Sequence, residues 1–168
     1  KNINAFLTQA SKVFPYHIDV ISGQEEARLI YQGVAHYIHH DENRLVVDIG
    51  GGSTELIIGK HFKHSLLSSR NMGCVSYSKQ FFADGIINGK RFNKAQIRAE
   101  QELEVIYASY MSASWSAVVG TSGTIKSILA MIIANDPQQK TITLERLLEL
   151  KTQFIAAKTI DNLLITGL

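Results

Sequence analysis

Cysteine is almost missing: Cys74 is the one thiol in 168 residues, which excludes a disulfide framework and a cysteine-rich zinc module. An excess of charge is missing too. Lys+Arg 17 against Asp+Glu 15 leaves a formal charge of +2, which gives no footprint of a DNA-binding protein. No apolar run reaches the ~18–20 residues that a membrane-spanning helix needs. With 45% hydrophobic and 19% charged residues, intrinsic disorder is also excluded. What remains is the length and composition of one ordinary domain with a packed core. A cytoplasmic location is expected, although a lone thiol fits a cysteine-poor exported protein nearly as well as one in a reducing compartment. The first residue is Lys and no basic-then-apolar leader follows it, so the chain reads as a piece of something longer.

The chain alternates helical and extended patterns without repeats. Phe6, Leu7, Ala10, Val13 and Phe14 share one stripe of a helix expected from about Asn4 to Phe14, stopped by Pro15. His17 to Ile21 reads as a short strand. Ser22 and Glu25 have the spacing of a capping box, opening a helix to about Ile38 with Ala27, Ile30, Tyr31, Val34 and Ile38 inward. Arg44–Ile49 and Thr54–Gly59 read as an antiparallel hairpin joined by glycines, with a third strand at about Ser65–Asn71. A helix opened by Asn93 and Gln96 is expected to run to Met111. A strand at Trp115–Gly120, a helix to Ala134 and a last helix at Thr143–Ala157 complete the pattern. Strands followed by strand–helix alternation predict an α/β fold, a mixed sheet flanked by helices.

Three stretches carry candidate chemistry. In Asp48-Ile49-Gly50-Gly51-Gly52-Ser53-Thr54-Glu55, three glycines exceed what a tight turn needs, and their entropic cost calls for compensation. Glycine amides, with the Ser53 and Thr54 hydroxyls, suit an anion cradle. Asp48 and Glu55 supply hard oxygen ligands suited to Mg²⁺. With an acid at each end of the turn, phosphate plus metal is the better reading. The stretch is no Walker A loop, because it lacks the Gly-Lys-Ser/Thr ending and leads into a strand. Gly120-Thr121-Ser122-Gly123-Thr124 falls where a strand meets a helix. Alone it reads as an ordinary cap; beside the first loop it reads as the other wall of a phosphate or nucleotide cleft. In Ser22 to Arg28, Glu25 has a capping task and Arg28 is expected to pair with it, which leaves Glu26 free. Acids in a first helical turn are ordinarily macrodipole complements, although a carboxylate beside a metal–phosphate site would activate water. His36, His39 and His40 read as a solvated cluster, and Cys74 as a packing residue.

These stretches, with Met72-Gly73-Cys74-Val75 between them, occur in the order and spacing of one family. The sequence resembles the exopolyphosphatase / guanosine pentaphosphate phosphohydrolase family across essentially all of its length, with Glu25–His36 and Ile142–Leu168 closer to the second branch. The resemblance implies the ribonuclease-H-like fold of the actin/Hsp70/sugar-kinase superfamily, here incomplete. Residues 1–38 would end a first domain and residues 39–168 form most of a second. It implies Glu26 as the catalytic carboxylate and Asp48 and Glu55 as metal-associated acids. Gly50, Gly51, Gly52, Ser53 and Thr54, with Gly120, Thr121, Ser122, Gly123 and Thr124, would be the phosphate-binding loops. Release of terminal phosphate from polyphosphate or from pppGpp, with Mg²⁺, is the implied activity.

The family's earlier phosphate loop, of the Asp-x-Gly-Ser/Thr-Asn type, has no counterpart here, so this piece alone is expected to be inactive. A superfamily ATPase or kinase and a non-catalytic sensor of guanosine polyphosphates or polyphosphate are the alternatives. DNA binding is not expected, and pairing of two copies through exposed apolar surface is compatible with the sequence.

Overall fold

The structure is a computed structural model that describes residues 2–39 and 41–164. Helices α1 (Ile3–Ala10) and α2 (Gly23–Tyr37) precede strands β1 (Arg44–Ile49), β2 (Thr54–Lys60) and β3 (Lys63–Arg70). Helices α3 (Cys74–Phe81) and α4 (Gly89–Ser112) then lead to β4 (Ala117–Thr121), α5 (Ser122–Asn135), α6 (Leu144–Ala157) and a short 3-10 helix, Ile160–Asn162. The sheet has the order β3-β2-β1-β4, with β1 antiparallel to β2 and parallel to β4. It is the mixed sheet flanked by helices that the alternating pattern predicts.

Helix α2 forms as read. The Ser22 hydroxyl accepts the Glu25 N–H at 3.2 Å, and Glu25 and Glu26 complement the positive helix end. Its stripe of Ala27, Tyr31, Val34 and Ala35 packs on Val46 of β1 and Ile57 of β2. Ile38 stays exposed because the helix ends there and the chain turns into extended backbone. On the opposite face, Leu56 and Ile58 pack against Tyr110 of α4. Alternate residues of one strand thus serve two cores, the period-2 rule at work. A third cluster, Met131, Ile132 and Leu150, joins α5 to α6.

Several expectations need correction. His17–Ile21 forms no strand: it pairs with none of the four strands, and β-prone residues without a partner strand stay irregular. Helix α1 ends at Ala10 and fully buries none of its residues: Leu7 and Ala10 are half-buried, while Phe6, Val13 and Phe14 of the expected stripe are exposed. Helix α4 begins at Gly89, four residues before Asn93, with Asn88 as its cap, the Asn88 side chain accepting the Arg91 N–H at 3.0 Å. Helix α3 was not anticipated, because eight residues give too little periodicity to read. Cys74 opens that helix and is exposed instead of packed. His36 stacks edge-on against Phe62, and His40 lies outside the described residues.

Candidate functional site

The strand registers build the centre of the site. Glu55 pairs with Ser69 across β2–β3, with Asp48 across β1–β2, and Asp48 pairs with Thr121 across β1–β4. Directly opposed residues project from the same face of a sheet. Ser69, Glu55, Asp48 and Thr121 therefore form one transverse row over all four strands, on the face that α2 covers. Hydroxyls hold both ends. Ser69 donates to Glu55 Oε1 at 2.7 Å, and Thr121 donates to Asp48 Oδ2 at 2.5 Å.

Glu55 is 1% exposed, yet among the described residues neither it nor Asp48 forms an ion pair with Lys, Arg or His. Buried charge is normally paired or bound to metal, so this acid pair is electrostatically incomplete. Among the described residues no three His, Cys, Asp or Glu side chains cluster closely enough to cage a metal.

The first turn of α2 lies over the row. A Cβ on Gly23 would fall 2.5 Å from Ser69 Oγ, so only glycine lets the helix settle this low. Glu26 follows one turn of chain later. Partial burial first, then the negative charges of Glu55 and Asp48, push its carboxyl above the usual carboxylate value. Glu25 is committed elsewhere, accepting from Arg28 Nε at 2.8 Å and Nη2 at 2.6 Å. The Arg28 pair expected for Glu25 is formed, and it takes both carboxylate oxygens.

The glycine turn is aimed by α3. The Cys74 N–H donates to Gly50 O at 3.0 Å, and those of Val75 and Ser76 donate to Gly51 O at 2.9 and 3.0 Å. In a trans peptide the N–H points opposite to the C=O. Holding the carbonyls of Gly50 and Gly51 toward α3 thus turns the N–H groups of Gly51 and Gly52 the other way, where both residues are exposed. The Gly50 N–H is used inside the turn, donating to Ser53 O at 2.9 Å. The Thr54 hydroxyl is committed as well, donating to Met72 O at 2.5 Å. Gly73 permits the clamp, since a Cβ there would lie 2.5 Å from the Gly51 carbonyl carbon.

The second loop joins the same end of the sheet. Thr121 turns its hydroxyl to Asp48, and Ser122 donates its hydroxyl to Ile49 O at 2.7 Å from a left-handed backbone with φ +76°. Gly120 packs on Ile125, while Gly123 and Thr124 stand in the first turn of α5, where amides lack intrahelical partners. The structure thus gathers Asp48, Glu55, Glu26, Thr121 and both loops at one end of the sheet. Sequence reasoning missed Ser69 and the clamp by α3. Met72–Val75 stood out as a motif without a role, and Ser69 becomes visible only once the β2–β3 register is known.

The mixed four-stranded sheet flanked by helices is part of an actin-like fold, with two glycine-bearing loops and an acid pair at one end. Comparison with known families matches residues 1–168 to the Ppx/GppA phosphatase family, and the chain belongs to it. It is 47% identical over 167 residues, 99% of the chain, to a Haemophilus influenzae protein that carries exopolyphosphatase as a provisional name, covering 52% of that protein. It is 40% identical over 167 residues, again 99% of the chain, to a guanosine-5'-triphosphate,3'-diphosphate pyrophosphatase of Aeromonas hydrophila, covering 34% of it. The chain thus spans between a third and about half of these curated relatives. A solved PPX-GPPA enzyme of Aquifex aeolicus superposes with a TM-score of 0.70 at 27% identity, over 93% of this chain and 52% of that one. A Cytophaga hutchinsonii exopolyphosphatase structure shares the fold at TM-score 0.81 and 23% identity, over 99% of this chain and 56% of that one.

Proposed function

We propose that the chain supplies the acid pair and the phosphate loops of a phosphohydrolase that releases terminal phosphate from polyphosphate or pppGpp. The observation that carries this reading is the uncompensated Asp48–Glu55 pair beneath Glu26, beside a turn whose free amides face outward. Asp48 and Glu55 would hold Mg²⁺, which when bound neutralises charge on the transferred phosphoryl group. The amides of Gly51 and Gly52, with the first turn of α5, bind phosphate oxygens as donors already in place. Glu26 accepts the proton of the attacking water, and its raised pKa brings its basicity closer to what that transfer needs. Inorganic polyphosphate and pppGpp present the same terminal phosphoanhydride to these groups. Residues 1–38 would then close a first domain, with α2 leading into the second, in a cytoplasmic enzyme.

Glu26→Gln in the full-length protein tests the reading. Phosphate release from both substrates should fall at least about a hundredfold, the scale of general-base catalysis, while substrate binding persists. Unchanged turnover would remove Glu26 from the mechanism. Hydrolysis that requires ATP would indicate a kinase or ATPase, and tight binding without release a sensor. The pH dependence has a definite sign. The base works ionised, so activity is lost as pH falls through the raised pKa of Glu26, an acid limb lying above that of an ordinary carboxylate.

A further inference from the structure

We infer that Ser69 is a positioning residue of this site, fixing both the orientation of the Glu55 carboxylate and the height of Glu26 above it. The inference rests on the functional reading of Glu55 given above.

Ser69 meets two partners at once. Its hydroxyl donates to Glu55 Oε1 at 2.7 Å, and the same oxygen lies where a Cβ on Gly23 would be, 2.5 Å from that ideal position. Glu55 is 1% exposed and has no ion-pair partner among the described residues, so the Ser69 hydroxyl is the donor that fixes its rotamer. That bond engages Oε1 and leaves Oε2 for whatever cation the pair binds. Thr121 performs the matching task for Asp48 from the opposite flank. The row thus reads hydroxyl, carboxylate, carboxylate, hydroxyl, with each outer strand orienting the acid of the strand beside it. Ser69 differs from Thr121 in bearing α2 as well. Because Gly23 rests on it, the strand residue that aims Glu55 also sets where the helix carrying Glu26 begins.

Outer partners of metal-ligating carboxylates are worth about 10–100-fold in metal affinity or activity. The test uses full-length protein, with Mn²⁺ as a spectroscopic probe of the acid pair read by electron paramagnetic resonance. Ser69→Ala should weaken Mn²⁺ binding about 10–100-fold and lower kcat with it, with KM for polyphosphate and the melting temperature little changed. Wild-type Mn²⁺ affinity in Ser69→Ala overturns the inference. Glu55→Gln separates this failure from failure of the functional reading. If it loses Mn²⁺ while Ser69→Ala does not, only the positioning role falls; if it too retains Mn²⁺, the assignment of Glu55 falls and takes Ser69 with it.

Discussion

Ser122 sits at φ +76°, in the left-handed region that a residue with a Cβ enters at a cost of about 1–3 kcal/mol. Its hydroxyl bond to Ile49 O ties that strained junction to the end of β1, next to Asp48. The two effects pull in opposite directions in different substitutions. Ser122→Ala keeps the strain and loses the bond, whereas Ser122→Gly loses the bond and the strain together. Ser122→Gly should therefore be the milder change, by about 1 kcal/mol in chemical denaturation, reversing the usual order of alanine and glycine at a helix start. An equal or greater loss with glycine would show that the backbone there is not strained. Glu26 makes a related point about single side chains. Its carboxyl is raised by partial burial first and then by two acids on other elements, Glu55 of β2 and Asp48 of β1.

At the scale of elements, α3 uses its N-terminal amides on the glycine turn and not on a ligand. That makes an eight-residue helix the part that decides where the amides of Gly51 and Gly52 point. Gly73 is the contact that matters. Its φ of −149° is open to any residue, so what it supplies is space against Gly51 and Gly52. Gly73→Ala should displace the turn, raise KM for polyphosphate at least about tenfold, and leave the far end of the sheet intact by hydrogen exchange. Unaltered KM would mean that the turn tolerates movement. The elements also show what was readable beforehand. β1, β2 and α2 carry clear periodicity and a capping signal, and their positions follow from Arg44–Ile49, Thr54–Lys60 and Ser22–Glu25. Asp48 and Glu55 were legible because a short glycine turn must place the residues flanking it near one another. Helix α3, the Asn88 cap and the role of Ser69 were not, because each depends on contacts between segments distant in sequence.

For the whole molecule, the gathered site is one-sided. Donors and acids come from one end of one sheet, and α1 with residues 11–21 is mostly exposed and apolar at Phe6, Val13, Phe14 and Val20. No helix among the described residues is long and apolar enough to cross a membrane, so these side chains are not a span. The 168-residue chain alone is expected to release phosphate from polyphosphate or pppGpp poorly or not at all, while the full-length protein does so. Light scattering of the isolated chain should report association through the apolar segment. Full turnover by the isolated chain would show that one wall suffices.

The β2–β3 ladder shifts register between Ile58 and Gly59, so that Ile58 faces Leu66 while Gly59 faces His64. Ser65 is the odd residue out, its hydroxyl donating to Ile58 O at 3.1 Å. Counting on from the turn without that extra residue would set Ser68 opposite Glu55 and exchange Leu66 with Leu67. The segment Leu66-Leu67-Ser68-Ser69 is written in doublets, so its own residues barely distinguish one phase from the other. Arg70 breaks the tie. In the observed phase it reaches Glu102 of α4 at 3.1 Å, and in the other it would point to the opposite face. A single bulged serine and one distant ion pair thus keep the sheet in step, and the chemistry of Glu55 depends on a count made four residues from its partner.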